Sequence, residues 1–192
     1  MQLPHAPSRQ HWPQTAERGF TVIELMVVVT IMAVLAALAT PSFTPIIEGW
    51  RVRQAANGLE STLYYARSEA IKRGGNVVIQ KLPSSTSCTA DNVDDWNCGW
   101  QVLSCSSINA SGTCADPEVL QSFETPARLE VTRSSGGARI QLNRWGLVDG
   151  TWLGFSLVPL GKSLSNSAAR GVCMSSGGRV RIIPPEDIPC TG

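Results

Sequence analysis

Histidine is nearly missing from this chain: among 192 residues there are two, His5 and His11, and both fall in the first dozen. Everything from residue 12 onward lacks an imidazole, which excludes Ser/His/Asp and Cys/His catalysis and the commonest neutral metal ligand. Charge is scarce as well. Only 16% of residues are Asp, Glu, Lys or Arg, and the net charge is +1, so no overall field draws the protein to nucleic acid or an anionic membrane. Any such partner has to be read from local charge. No Cys-x-x-Cys occurs among the six cysteines, so neither a zinc centre nor any other cofactor is expected, and no enzyme class is suggested.

What the sequence does have is one long apolar run. From Phe20 to Ala39 only Thr21, Glu24 and Thr30 interrupt the hydrophobic residues, and twenty residues of helix reach about 30 Å, one hydrocarbon core. A secretory signal would place its small-residue cleavage site after the run. Here the polar leader ends in Arg18-Gly19 before the run begins. Arg9 and Arg18 ahead of it favour an anchor with its N-terminus inside and its C-terminal domain outside. A carboxylate at the centre of a membrane helix costs about 2.5 to 3.5 kcal/mol; Glu24, close to the end, costs less.

The segment RGFTVIELMVVV resembles the prepilin processing motif, in which a peptidase cuts after the glycine and the new amine is methylated. The resemblance implies cleavage between Gly19 and Phe20, N-methylation of Phe20, and removal of residues 1–19 as a leader. It also implies that Glu24 neutralises the N-terminal amine of a neighbouring subunit during filament assembly, a buried pair that sets register more than it adds stability.

Beyond the run, Pro41 and Pro45 predict a kink or short break at the end of a 20–45 anchor and assembly segment. Leu59, Leu63, Ala66 and Ala70 then recur at helical spacing, which predicts an amphipathic helix over about 46–73 ending at Gly74-Gly75. From residue 76 to 192 the pattern turns to short β-rich runs: 76–82, 100–103, 119–123, 129–132, 138–142, 152–158, 171–174 and 179–183. The stretches 104–112 and 161–168 read as loops, and Ser134–Gly137 as a hairpin turn. The expected fold is α+β: a long N-terminal hydrophobic helix, serving as anchor and spine, packed on an antiparallel β-sheet head spanning 46–192.

The arrangement resembles the GspH/FimT family of minor pilins and pseudopilins. Besides the N-terminus, the resemblance rests on Ala66-Arg67-Ser68-Glu69-Ala70, on Trp96-Asn97-Cys98-Gly99-Trp100 and on Ser176-Gly177-Gly178-Arg179-Val180-Arg181. It implies a type IV pilin-like fold and a single pass through the bacterial inner membrane with a periplasmic C-terminal domain. The implied partners are prepilin peptidase and the other major and minor pilins of a type IV pilus or a type II secretion pseudopilus.

All six cysteines follow the apolar run, which in an oxidising compartment favours three disulfides. Fifteen connectivities are possible; pairing sequence neighbours joins Cys88 with Cys98, Cys105 with Cys114, and Cys173 with Cys190. Charge divides the head. Between Cys88 and Glu124 there are six acids and no base, whereas from Arg128 to Arg181 eight bases face two acids, and seven of those bases are arginine. Arginine grips phosphate bidentately and so holds a nucleic-acid backbone without reading bases. Strand alternation sends Arg179 and Arg181 to one side and Val180 and Ile182 to the other.

Gly178-Arg179-Val180-Arg181 resembles the motif by which FimT-type minor pilins bind double-stranded DNA in natural transformation, with Arg144 and Arg170 as further candidates. Two readings stand at this point. The arginines hold DNA, or they form the solvated face of a strand and pair with Glu186 and Asp187 in a purely structural subunit. Leu160-Gly161-Lys162-Ser163 ends like a phosphate loop, but Ser156 stands where a glycine is required. The tryptophans beyond the leader read as core or turn packing rather than as a base-stacking platform.

Overall fold

The computed structural model describes residues 19–39, 43–109, 112–148 and 152–191. Leader residues 1–18, Pro41 with its expected kink, and Asp149 lie outside the described residues. The chain divides into two units, one ending at residue 42 and the other beginning at residue 43.

The first unit is helix α1, Val22–Ala39. Thr21 starts it: its Oγ1 accepts the Glu24 N–H at 3.2 Å, the N-terminal half of a capping box with Glu24 three residues on. Glu24 is the acid of the first turn, where the helix dipole favours negative charge. Val22–Leu38 are exposed on every face. No helix among the described residues is long and apolar enough to cross a membrane by itself; the apolar run of the sequence begins ahead of α1, at Phe20.

The second unit is built on α2, Thr44–Arg73. Pro45 occupies its first turn, where a missing N–H removes no helical bond. Gly74 ends it at φ 73°, a left-handed conformation that glycine adopts without strain, and Gly75 N–H returns to Ala70 O at 2.8 Å. Val52, Ala55, Ala56, Leu59, Leu63, Ala66 and Ala70 form its buried stripe.

Two four-stranded antiparallel sheets pack on α2. The first, in the order β5-β2-β1-β7, comprises Glu118–Glu124, Gly99–Ser104, Val77–Lys81 and Arg139–Leu142. The second, in the order β10-β9-β8-β6, comprises Val180–Ile183, Arg170–Ser175, Trp152–Pro159 and Leu129–Arg133. Their inner faces supply Ile79, Val102, Ile140, Val131, Phe155, Leu157, Val172 and Met174 to a single core with the helix stripe. Trp96 and Trp100 are fully buried in it. The Trp100 indole stacks on Phe123 at 4.7 Å and donates to Thr62 Oγ1 at 3.0 Å, so its polar edge is satisfied.

Two expectations need correction. Ser134–Gly137 is not a hairpin turn, because β6 pairs with β8 and β7 pairs with β1, each placing Val131 or Ile140 in the core. The segment carries the chain from one sheet to the other. Arg133 ties it down by donating from Nη1 to the carbonyls of Gly136, Gly137 and Arg139 at 2.9, 2.8 and 2.6 Å. Burial pushes this guanidinium down to about 10, against the pull of Asp94 in the other direction, and leaves it a cation at neutral pH. Second, the 104–112 stretch is not wholly loop: β3 (Ser107–Ile108) and β4 (Cys114–Ala115) pair there.

Three disulfides, Cys88–Cys98, Cys105–Cys114 and Cys173–Cys190, join the six cysteines, with Cα–Cα separations of 5.4, 5.2 and 5.7 Å. The last fastens the C-terminal tail, with its 3-10 turn Pro185–Asp187, to β9.

Candidate functional site

Two features of the chain are unexplained by its own packing, and each lies in a separate unit. The first is α1. Gly19 and Phe20 precede it, with Phe20 84% exposed, and Glu24 is exposed at its start. A helix that is apolar all round finds no partner for its faces within itself and requires lipid or other helices around it.

The second is the β9–β10 hairpin. Ser175 N–H and Arg179 O close it at 3.0 Å, and Gly178 takes φ 81° in the turn. The positive φ favours glycine, and a Cβ at Gly178 would lie 2.5 Å from the Arg67 guanidinium carbon, so a larger residue there would displace that side chain. Beyond the turn, Val180 opposite Met174 points inward, whereas Arg181 opposite Cys173 lies on the outer face. Arg181 is exposed there, and Arg179, in the turn before the strand, is exposed as well. Neither is in an ion pair among the described residues; Glu186 and Asp187 line the same shallow groove as Arg181 without pairing with it.

The other two candidate arginines are placed differently. Arg170 shares strand parity with Val172 and Met174, so it lies on the opposite face from Arg181, and its Nη1 donates to Ser167 O and Ala169 O at 2.9 and 2.6 Å. Arg144 is exposed on a turn between β7 and β8. That turn adjoins the hairpin through Arg67 of α2, half-buried, whose Nε donates to Gly146 O at 3.0 Å and whose Nη1 donates to Gly178 O. The turns that carry Arg144 and Arg179 are therefore joined through one guanidinium, whereas Arg170 lies on the face opposite Arg181.

Arg67 is the residue that sequence reasoning missed. It was visible only as part of the Ala-Arg-Ser-Glu-Ala stretch, with nothing to indicate that its partner was the Gly-Gly-Arg stretch far along the chain. Glu69 of the same stretch is nearly buried and accepts from Arg73 Nε at 2.8 Å and Lys72 Nζ at 3.4 Å. The Arg73 hydrogen bond, then Lys72, hold its carboxyl below the ordinary carboxylate range in spite of desolvation. The Trp96–Trp100 stretch is likewise structural: Asn97 Oδ1 accepts the Val131 N–H at 2.7 Å, and the Trp96 ring meets Phe155 edge-on at 5.1 Å.

A cleft of about 590 Å³ lies between the Cys88–Cys98 loop and residues 124–129. Its titratable lining residues are Glu124 and Arg128, a pair with no nucleophile and base poised against each other. Among the described residues no group of His, Cys, Asp and Glu could hold a metal ion.

A family model described as Type II transport protein GspH matches residues 55–178, and another, the Prokaryotic N-terminal methylation motif, matches residues 14–40. A fimbrial protein of Pseudomonas aeruginosa is 38% identical over 71 residues, 37% of this chain and 46% of its own. A fimbrial protein of Moraxella nonliquefaciens is 41% identical over 51 residues, 25% of this chain and 33% of its own. The chain thus spans about half or less of the length of these curated relatives. The crystal structure of the type IV minor pilin FimU of Pseudomonas aeruginosa superposes with a TM-score of 0.53 at 25% identity, over 70% of this chain and 90% of that one. A second crystal form of it gives 0.52, over 70% and 94%.

Proposed function

Because the chain belongs to the GspH family, we propose that it is a minor pilin: a non-enzymatic subunit of a type IV pilus, or in the closest alternative of a type II secretion pseudopilus. Residues 1–19 are a leader removed by prepilin peptidase, which leaves Phe20 as the methylated N-terminus. Residues 20–45 hold the subunit in the inner membrane and later pack among the helices of other major and minor pilins. Residues 46–192 are the periplasmic head, consistent with three disulfides formed under oxidising conditions.

One observation carries this reading: α1 exposes apolar side chains on all sides and has a single acid, Glu24, in its first turn. In lipid the helix needs no partner. In a filament, sibling helices replace the lipid, and Glu24 meets the free amine of a neighbour. Replacing Glu24 by Val tests this. The variant is expected to be processed and to remain in the membrane fraction but to be missing from filaments sheared off the cell; equal recovery of variant and wild type in the sheared fraction would refute the role.

A second function has its own support. Arg181 on the outer face of β10 and Arg179 in the turn just before it are both exposed and without acidic partners among the described residues, an arrangement suited to gripping the phosphate backbone of DNA captured by the filament. On this reading affinity falls steeply with salt, and the double variant Arg179→Ala/Arg181→Ala binds more weakly with a salt slope shallower by about two. Wild-type protein that binds no DNA leaves the structural minor pilin as the whole account.

A further inference from the structure

The turn that Arg67 holds against the arginine hairpin displays the most exposed indole among the described residues. In Asn143-Arg144-Trp145-Gly146, the Gly146 N–H donates to Asn143 O at 2.9 Å, and Gly146 has φ 68°. Asparagine first and glycine fourth suit a tight turn. The Asn143 side chain reinforces it: Oδ1 accepts the Trp145 N–H at 2.9 Å and the Leu147 N–H at 3.1 Å. From below, Arg67 O and Ile71 Cδ1 lie 3.0 and 3.3 Å from where a Cβ at Gly146 would be, so the turn sits directly on α2. The two central positions are left for Arg144 and Trp145, and Trp145 is 70% exposed.

An indole held in water by a braced turn differs from the two tryptophans of the core; Trp50 of α2, 59% exposed, is the next most exposed indole after it among the described residues. Trp96 and Trp100 are fully buried, and each has its N–H bonded, to Gly137 O and Thr62 Oγ1. Trp145 packs no core. Its neighbours are cationic: Arg144 precedes it, and Arg179 follows Gly178, whose carbonyl shares the Arg67 guanidinium with that of Gly146. An exposed indole on a turn joined through Arg67 to an arginine-bearing hairpin suits a single strand of nucleic acid, with phosphates on the guanidinium groups and a base on the ring. An apolar surface of a neighbouring pilin would fit the indole but leave the arginines to be desolvated without anions.

We infer that Trp145 is a base-stacking side chain, which makes the arginine hairpin a site for single-stranded DNA and not only for the outside of a duplex. The inference rests on the DNA reading of Arg179 and Arg181 and narrows it. In a duplex the base faces are covered by their neighbours, so the indole gains nothing there beyond what the arginines supply. In a single strand an exposed face is available at every nucleotide, and stacking is indifferent to sequence.

Fluorescence anisotropy of the full-length protein in detergent, with a labelled oligothymidine and a labelled duplex of equal length, tests this over a range of salt. Wild type is expected to bind the single strand at least as tightly as the duplex. Trp145→Ala is expected to lose about tenfold in affinity for the single strand, to keep its duplex affinity and to keep its salt slope, with Trp145→Phe restoring most of the loss. Arg179→Ala/Arg181→Ala is expected to weaken both ligands and flatten both salt slopes. If Trp145→Ala changes neither affinity, or both equally, stacking is refuted while the arginine reading survives. If wild type binds neither oligonucleotide, both fail. Loss of Trp145→Ala from sheared filaments with DNA affinity intact would make the turn a pilin contact and overturn the inference. An unchanged thermal transition in the variant separates these outcomes from misfolding.

Discussion

Helices α1 and α2 are neighbours in sequence and opposites in how they are stabilised. Val22–Leu38 of α1 are exposed on every face, whereas α2 buries a continuous stripe from Val52 to Ala70 against two sheets. The second helix is secured by the core of its own chain. The first leaves its apolar surface to the surroundings, and on the reading proposed above that surface exchanges lipid for other subunits. The contrast teaches that burial here separates folding from assembly: substitutions in α2 should affect stability, and substitutions in α1 should affect location.

The sharpest way to break that contrast is a matched pair. Leu63→Ala leaves a cavity in the core and is expected to destabilise the head by about 2–5 kcal/mol in chemical denaturation. Val28→Ala removes a comparable group from α1 and is expected to leave the same unfolding curve unchanged. A shift in both would mean that α1 contributes to the stability of the head after all. The next effect is that of the Cys173–Cys190 bridge, which closes a loop of sixteen intervening residues. Replacing both cysteines by Ser is expected to cost about 3 kcal/mol on the chain-entropy model, read as a lower melting temperature, again with no change in membrane association.

Much of this contrast was legible in the sequence because its determinants are local. The α2 stripe follows from a helical period, and its end from Gly74-Gly75. The strands around Val77, Trp100, Leu129 and Val172 follow from short apolar runs, and the sequence-neighbour pairing of the cysteines agrees with the three observed bridges. What could not be read is long-range. Nothing in Ser134–Gly137 says that the flanking strands join different sheets, because that depends on which strands lie beside Val131 and Ile140. Composition and the Gly-Arg-x-Arg stretch group the candidate arginines, yet strand parity sends Arg170 to the face opposite Arg181, and the link between the turns of Arg144 and Arg179 runs through Arg67, far from both in sequence. Composition does not separate the tryptophans: Trp96 and Trp100 pack the core, while Trp50 and Trp145 are largely exposed.

The smallest effect belongs to the polar rim of α2. Glu69 has its carboxyl held below the ordinary range by Arg73 and Lys72, so the folded state binds its proton more weakly than the unfolded chain does. Its contribution is therefore complete above the ordinary carboxylate pKa and is lost as pH falls through the lowered value. Melting temperatures of wild type and Glu69→Gln are expected to differ slightly at neutral pH and to converge in acid; a gap that stays constant with pH would assign the residue a packing role only. Salt should shrink the gap, because the Lys72 partner is largely exposed.

On the proposed reading, the chain that enters a filament begins at a freed amine. Intact-mass spectrometry of the protein recovered from sheared native filaments tests it most directly. The account predicts one species that starts at Phe20, carries a single added methyl group and lacks residues 1–19. A filament-borne chain that still carries its first nineteen residues would contradict it.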